Sequence, residues 1–224
     1  MPGTRANKTG RLQHAAIGLN DDVRTLSGRT NPATAEAFLA RAVVLVEGIS
    51  DRVALETLAG RRGRNLDDEG ISIVPIGGAQ AIGGFLNLFG PHGLDIEVAG
   101  LCDAGEERDF RRGLERAGFG ADLTRVEMEE LGFYVCVEDL EDELIRALGA
   151  ASVERVAEAE GDLRSFRTLQ KQPAWKGRAT EDQIRRFMGS GGRRKIRYAR
   201  LLVDALDLTR VPRALDRVLA HICV

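Results

Sequence analysis

An apolar run that ends in an acid and a glycine constrains the fold of this chain more than any other feature. Residues 42–55 read AVVLVEGISDRVAL, and the first half predicts a buried strand that stops at Glu47. Ser50 is then in position to cap a helix that carries Asp51 in its first turn. This pattern places carboxylates at the carboxyl end of a parallel strand, where open α/β sheets bind their ligands.

A second acid-tipped strand follows the same design. Residues 98–103 read VAGLCD, so a buried strand is predicted to end at Asp103. An unpaired buried carboxylate is costly, and acids at the ends of apolar strands are therefore seldom structural. If both strands belong to one sheet, Glu47 and Asp103 could share a divalent cation. Asp51 has two readings, because the helix dipole alone stabilises an acid in a first turn.

Strand and helix patterns alternate over most of the chain. Strands are predicted at residues 43–46, 71–76, 96–102 and 133–137. A helix is predicted after each strand, at residues 51–59, 79–89, 106–117 and 140–148. Four such units imply an α/β fold with a four-stranded parallel sheet, right-handed crossovers and helices on both faces.

The chain divides into three predicted parts. Residues 1–38 are a polar arm, with a short helix predicted at 33–41; residues 39–150 hold the strand and helix units; residues 151–224 form a helical extension. Helices are predicted in that extension at residues 153–159, 163–170, 181–188, 196–206 and 211–222. The segment at 190–195, SGGRRK, is interpreted as a flexible basic hinge.

Composition indicates a small globular protein of the cytoplasm. Of the 224 residues, 43% are hydrophobic and 29% are charged, which is ordinary for a folded domain. Cys102 and Cys136 lie in apolar strand patterns and no two cysteines have CxxC spacing, so free buried thiols are predicted. The sequence contains neither a bilayer-spanning apolar run nor a signal-peptide pattern, and no membrane association is expected.

Charge is unevenly distributed although the net charge is only −2. Residues 160–224 hold 15 Lys or Arg against 7 Asp or Glu, whereas residues 1–159 hold 17 basic and 27 acidic side chains. A basic tail beside an acidic half favours a metal site next to a phosphate-binding surface. The alternative is that arginines simply cover exposed helices.

These motifs carry a family resemblance. The sequence VEGISD at 46–51, the strand leading into Gly77 and Gly78, and the acid-tipped strand at Asp103 resemble a Toprim domain, the metal-binding module of topoisomerases, primases and several nucleases. The most similar branch is the overcoming-lysogenization-defect (OLD) family of nucleases, over roughly residues 40–147. The resemblance implies a Rossmann-like Toprim fold and metal-dependent cleavage of phosphodiester bonds.

One position departs from the family pattern. The second Toprim motif is usually Asp-x-Asp, whereas here Asp103 is followed by Ala and then Gly105. Glu106 could supply the missing carboxylate; otherwise metal binding is weakened. The resemblance further implies that Asp51, Asp139 and Glu141 take part, so that two Mg²⁺ or Mn²⁺ ions are held by six acids: Glu47, Asp51, Asp103, Glu106, Asp139 and Glu141.

The basic tail supplies the remaining candidates. The resemblance implies a catalytic lysine after the sheet, and Lys195 is the candidate, acting with Glu47 and Asp103. Arg193, Arg194 and Arg197 are predicted, together with Lys195, to bind nucleic-acid phosphates. Trp175 and Tyr198 could stack on bases, although a place in the core is the alternative for both.

The function predicted from these features is a metal-dependent nuclease of OLD type. In this family the Toprim domain is usually coupled to an ABC-type ATPase, for which the sequence offers no motif; the resemblance therefore implies either a stand-alone domain or a separately encoded ATPase partner, with a role in phage defence. A homodimer is also expected. The alternative, favoured by Gly105, is a non-catalytic Toprim-like module that binds nucleic acid or a protein partner.

Overall fold

Four parallel strands form the central sheet. The computed structural model describes residues 37–223, and its strands are β1 (Ala42–Val46), β2 (Ile71–Pro75), β3 (Glu97–Cys102) and β4 (Phe133–Val135). Their order is β2-β1-β3-β4, and every pairing is parallel. The predicted four-stranded parallel sheet is confirmed. β1 is an inner strand of a sheet that is covered on both faces, and its five residues are all buried, as expected for a continuous apolar run in a parallel sheet.

Ten α-helices surround the sheet or follow it within residues 37–223. They are α1 (Ile49–Arg61), α2 (Ile82–Phe89), α3 (Glu107–Arg116), α4 (Arg125–Glu130), α5 (Leu140–Leu148), α6 (Ala150–Ala159), α7 (Leu163–Gln170), α8 (Thr180–Met188), α9 (Gly192–Ala205) and α10 (Arg213–His221). Single 3₁₀ turns at Ala79–Ala81 and Ala104–Glu106 precede α2 and α3. None of these helices is long and apolar enough to cross a membrane.

Each face of the sheet has its own apolar core. Alternate residues of β1 point to opposite faces, so Val43 packs in one core with residues of α2 and α3, and Val44 packs in the other with residues of α1. The second core continues into the C-terminal helices through residues such as Leu202 of α9 and Leu219 of α10. The helical C-terminal part is therefore packed against the sheet. Its side chains can lie close to the ends of the strands as a result.

Several local predictions are wrong in detail. The N-cap of α1 is Gly48 rather than Ser50, and the Gly48 N–H donates to Asp51 Oδ2 over 2.9 Å. Since α9 begins at Gly192, most of the segment interpreted as a hinge is the first turn of a helix. Helix α4 was not predicted. The arm at 1–38 lies outside the described residues apart from its last two positions, and so do residues 33–36 of the helix predicted at 33–41; residues 38–41 of that prediction are not helical.

The predicted state of the cysteines is confirmed. Cys102 and Cys136 are free and buried, and Cys223 is free and exposed. Burial raises the pKa of both buried thiols above the usual range, and the negative charge of Asp103 raises each further. Both thiols therefore stay protonated and unreactive at neutral pH, as buried apolar surroundings require.

Candidate metal centre

Three carboxylates meet at the carboxyl end of the sheet. Glu47 follows β1, Asp103 follows the adjacent strand β3, and Glu106 ends the 3₁₀ turn that comes next. One carboxylate oxygen from each residue lies within 4.8 Å of the other two. The expected meeting of Glu47 and Asp103 is thus observed, and Glu106 joins them as the sequence allowed.

The loops around this cluster are held by backbone hydrogen bonds between strand ends. The Gly77 N–H donates to the Glu47 carbonyl over 3.1 Å, and the Ala104 N–H donates to the Glu138 carbonyl over 2.9 Å. Each bond continues the parallel pairing one to three residues past the last strand residue. The positions of Glu47 and Asp103 are therefore fixed by the sheet itself rather than by mobile loops.

Burial and the repulsion of neighbouring charges raise the pKa of two of the three carboxylates, Glu47 and Asp103. The buried Glu47 Oε2 has no hydrogen-bond partner, and the pKa of Glu47 is raised by burial and then by the charges of Glu106 and Asp51. Burial, with the charges of Asp51 and Glu47, raises the pKa of Asp103 to about 8. A cation would remove this repulsion.

The donor set fits a hard divalent cation. Carboxylate oxygens are the ligands that Mg²⁺ and Mn²⁺ prefer, and the cluster offers three of them together with an oxygen atom that lacks a partner. Glu107, the next acid along the chain, is different, because it forms ion pairs with Arg111 and Arg125. Within this cluster, the side chains available to a metal are therefore Glu47, Asp103 and Glu106.

Asp51 lies beside the cluster and has a local bond of its own. It is 8% exposed, and its carboxylate accepts the N–H of Gly48 at the start of α1. Burial raises its pKa, against which the Gly48 hydrogen bond and the charge of Lys195 act. Asp51 thus caps the helix and also adds negative charge near Glu47 and Asp103, so both readings of this residue stay open.

Asp139 and Glu141 form a second acidic set, in which each carboxylate has a basic partner. Asp139 accepts the N–H of Asp142 at the start of α5 over 2.8 Å and the Nε of Arg185 over 2.8 Å. Glu141 is 4% exposed, and its Oε2 lies 3.3 Å from the Nζ of Lys195. Its other oxygen, Oε1, is buried without a hydrogen-bond partner.

Lys195 is a side chain of the C-terminal helices that lies beside the acidic residues of the site. It lies in the first turn of α9, 54 residues after Glu141 in the sequence. Burial lowers the pKa of Lys195, but the charges of Glu141 and Asp51 outweigh it, so that the net pKa is raised. The positive charge of its ammonium group in turn offsets part of the rise in the pKa of Glu47 and Asp103. Lys195 therefore stays protonated and acts electrostatically on four acids of the site: Glu47, Asp51, Asp103 and Glu141.

The other predicted basic residues have mixed surroundings. Arg193 is exposed. The guanidinium of Arg194 lies 4.3 Å from the centre of the Phe187 ring and donates to Ser190 Oγ over 2.5 Å. Arg197 is paired with Asp162, which also accepts a 3.0 Å hydrogen bond from the hydroxyl of Tyr198. Two of the three arginines thus stabilise contacts within the C-terminal helices.

The two aromatic candidates separate in the same way. Tyr198 is fully buried at 0% exposure and belongs to the core, so the structural alternative is correct for it. Trp175 is only partly buried, and it lines a groove together with Asp139, Glu141, Arg185 and Lys195. Arg185 was missed from sequence because its partner Asp139 is 46 residues away, and no local pattern connects them.

Comparison with known proteins agrees with this geometry. Residues 38–104 match the family model described as "Overcoming lysogenization defect protein-like, TOPRIM domain". The C-terminal region of the Xanthomonas campestris pv. campestris OLD protein is 26% identical with a TM-score of 0.67, over 84% of this chain and 94% of that one. The C-terminal region of the Burkholderia pseudomallei OLD protein is 23% identical with a TM-score of 0.61, over 82% and 96%. A search of curated proteins found no match.

The fold and the acid-tipped strands are those of an α/β domain of the Toprim class. More particularly, residues 38–104 match the OLD-like type of Toprim domain. The likeness to the Xanthomonas structure extends over most of the chain, including helices beyond the residues that the family model covers. The predicted resemblance is confirmed.

Proposed function

We propose that this protein is a metal-dependent nuclease of OLD type that hydrolyses phosphodiester bonds. The observation that carries the proposal is the meeting of Glu47, Asp103 and Glu106 within 4.8 Å of one another, beside a protonated lysine on α9. Carboxylates that gather a divalent cation and an ammonium group that faces them are the parts that phosphoryl transfer requires.

Glu47, Asp103 and Glu106 would hold Mg²⁺ or Mn²⁺. A bound ion of this kind supplies Lewis-acid stabilisation of phosphate charge and lowers the pKa of water. Asp51, Asp139 and Glu141 are proposed ligands of a second ion, with the unpartnered Oε1 of Glu141 as supporting observation.

Lys195 is proposed to stabilise negative charge on the phosphate. Its Nζ is held 3.3 Å from Glu141 Oε2, so the ammonium group is oriented before a substrate arrives. A pre-oriented charge costs little reorganisation during the reaction and stabilises the transition state more than the ground state. Glu141 is therefore a positioning residue for Lys195 in addition to its proposed role as a ligand.

Cleavage assays test this function directly. Plasmid DNA, single-stranded DNA and tRNA are incubated with the protein and Mn²⁺ or Mg²⁺, with EDTA as the negative control. Glu47→Gln should abolish cleavage of whichever substrate the wild type cuts, whereas Glu158→Gln, a change of an exposed glutamate on α6, should leave it unchanged. No metal-dependent product from any substrate, together with no heat of Mg²⁺ or Mn²⁺ binding, would contradict the proposal.

The second candidate function is a non-catalytic module that binds nucleic acid or a protein. Gly105 is the observation that favours it, because the usual second acid is missing at this position. The space beside Gly105 is open, with no atom within 4 Å of where a Cβ would stand, so Gly105→Asp introduces no clash.

Restoring that acid distinguishes the two candidates. If Glu106 already replaces the missing carboxylate, Glu106→Ala should lose metal binding and Gly105→Asp should partly restore it in the double variant. Calorimetric titration with Mn²⁺ measures both changes. A double variant no better than Glu106→Ala alone would argue against compensation, and a wild type that binds no ion would favour the non-catalytic module.

An ATPase partner in phage defence is proposed from the family resemblance, in which the Toprim domain is usually coupled to an ABC-type ATPase. The matched structures are C-terminal regions of OLD proteins, so in those proteins the matching domain is part of a longer chain. We further propose a homodimer, which light scattering on the purified protein tests. Stimulation of cleavage by ATP in the presence of the ATPase would support the coupling, and cleavage indifferent to both would contradict it.

A further inference from the structure

A groove beside the candidate metal centre contains the single tryptophan of the protein. The groove has a volume of about 480 Å³, and Trp175, Arg178 and Arg186 line it together with Glu141 and Lys195. Because Glu141 and Lys195 also belong to the proposed catalytic site, any molecule in the groove lies next to that site. The groove is therefore a candidate for the part of the substrate adjacent to the cleaved bond.

The loop that carries Trp175 has the composition of a nucleic-acid-binding segment. Residues 171–179 read KQPAWKGRA, with three cations and no acid, in the connection between α7 and α8. Trp175 is partly exposed, and the Arg178 guanidinium lies 5.0 Å from the centre of its ring. Aromatic rings interleaved with cations are the surface on which proteins stack unpaired bases.

Buried hydrogen bonds hold this loop in place. Gln183 of α8 is 6% exposed, and its Nε2 donates to the Trp175 carbonyl over 2.8 Å. Gln170, at the end of α7, donates in turn to Gln183 Oε1 over 2.7 Å. A buried amide that bonds to the loop backbone reduces the conformational freedom of the tryptophan, and less entropy is lost when a ligand stacks on it.

We propose that the groove binds an unpaired nucleotide, whose base stacks on Trp175 and whose phosphates face Arg178, Arg186 and Lys195. The proposal rests on the proposed nuclease function and names its substrate class as single-stranded or locally unpaired nucleic acid. In a duplex each base already stacks on its neighbours, so only an unpaired base offers a free face to the ring.

Because Trp175 is the single tryptophan of the protein, its fluorescence reports on binding in the groove. Intrinsic fluorescence is followed in EDTA, where no cleavage occurs, during titration with a twelve-residue oligothymidylate, the matching oligouridylate and a duplex of equal length. We expect saturable quenching by the single strands and none by the duplex. A duplex that quenches as strongly as either single strand would overturn the proposal.

Variants of the groove test the assignment to Trp175. With fluorescently labelled oligomers, polarisation should show that Trp175→Ala weakens single-strand binding about tenfold or more while leaving duplex binding unchanged. Trp175→Phe should retain most of the affinity, which separates stacking from misfolding. Arg186→Ala should weaken binding more than Arg210→Ala, which changes an exposed arginine outside the groove. Equal loss for single strand and duplex in Trp175→Ala would overturn the proposal.

Failure of this proposal is distinguishable from failure of the nuclease function. Binding is measured without metal, and cleavage is measured with it. Quenching and a Trp175 dependence in a protein that cuts nothing would leave the groove as a binding site and refute the nuclease. Metal-dependent cleavage that is unaffected by Trp175→Ala, with no quenching by single strands, would refute the groove alone.

Discussion

The two acidic sets at the edge of the sheet differ in how their charge is balanced. Within residues 37–223, Glu47, Asp103 and Glu106 form no ion pair, whereas Asp139 is paired with Arg185 and Glu141 with Lys195. The first set follows strands whose ends place acids together, and the second lies at a helix start that faces α8 and α9. An unbalanced set gains most from a bound cation, so the first is the primary metal centre of our proposal.

The largest expected effect is the loss of metal-dependent cleavage when an acid of the first set is removed, compared with an acid of the second set. Asp103→Ala should reduce Mn²⁺-dependent cleavage by at least about 100-fold, because it removes a ligand of the primary metal centre, and even the groups that surround such ligands typically contribute about 10- to 100-fold. Asp139→Ala should reduce it less, since Arg185 already balances that carboxylate. Initial rates at saturating Mn²⁺ measure both. Equal losses would show that the two sets act as one site.

Lys195→Ala should have the next largest effect and should act on rate rather than affinity. Removing a pre-oriented charge typically lowers kcat about 100- to 1000-fold, while the groove cations still bind the substrate. Lys195→Arg should not restore the rate fully, because a broad guanidinium cannot replace a compact ammonium at one oxygen. Single-turnover rates and Kd, measured separately, check this. A Lys195→Ala protein with normal turnover would leave the lysine as a binding residue.

The repulsion in the first set predicts how stability depends on pH in EDTA. The pKa of Asp103 is about 8 in the folded protein against an ordinary 3.8, so the free energy of unfolding falls as pH rises from about 4 toward 8, because over this range Asp103 ionises in the unfolded chain but stays protonated in the folded protein. Asp103→Asn removes this loss and should raise Tm by about 2–6 °C at pH 8, with little change at pH 4. Thermal melts at both pH values measure the shift.

Asp139→Asn is the matched control for that stability measurement. Asparagine caps a helix as well as aspartate does, so this change removes mainly the ion pair with Arg185, which is partly exposed. It should leave Tm unchanged or lower it slightly. An Asp103→Asn protein that melts below the wild type at pH 8 would show that the first set is not under repulsion.

The sequence predicts the sheet better than it predicts the surroundings of the site. Period and apolarity identify all four strands, and the acid after each of β1 and β3 identifies Glu47 and Asp103. Glu106 and Lys195 follow from family resemblance and charge. The contacts of Asp139 with Arg185 and of Glu141 with Lys195 span 46 and 54 residues, and they depend on how α8 and α9 pack against the sheet.

Capping shows the same limit on a smaller scale. A serine before a helical pattern predicts an N-cap, but Gly48 occupies that position, because the carboxylate of Asp51 reaches back to its N–H. The competing donor and acceptor lie three residues apart, so the signal was present in the sequence and was assigned to the wrong residue. Trp175 is a case without such a signal, since the exposure of one aromatic side chain depends on the whole fold.

The smallest expected effect concerns the basic tail, where an arginine that is unpaired within residues 37–223 can be compared with one that is paired to an acid. Arg193 is exposed and forms no ion pair within the described residues, whereas Arg197 is paired with Asp162 beside the buried Tyr198. Arg193→Ala should flatten the dependence of log affinity on log salt by about 0.7 to 0.9, the contribution of one phosphate contact. Arg197→Ala should change that slope less, because the ion pair with Asp162 keeps Arg197 from contacting phosphates. It should lower Tm instead, because the same ion pair is lost. Binding titrations between 50 and 200 mM salt, with melts of the same proteins, measure both quantities. If the two variants flatten the slope equally, ion pairing within the protein does not decide which arginines contact nucleic acid.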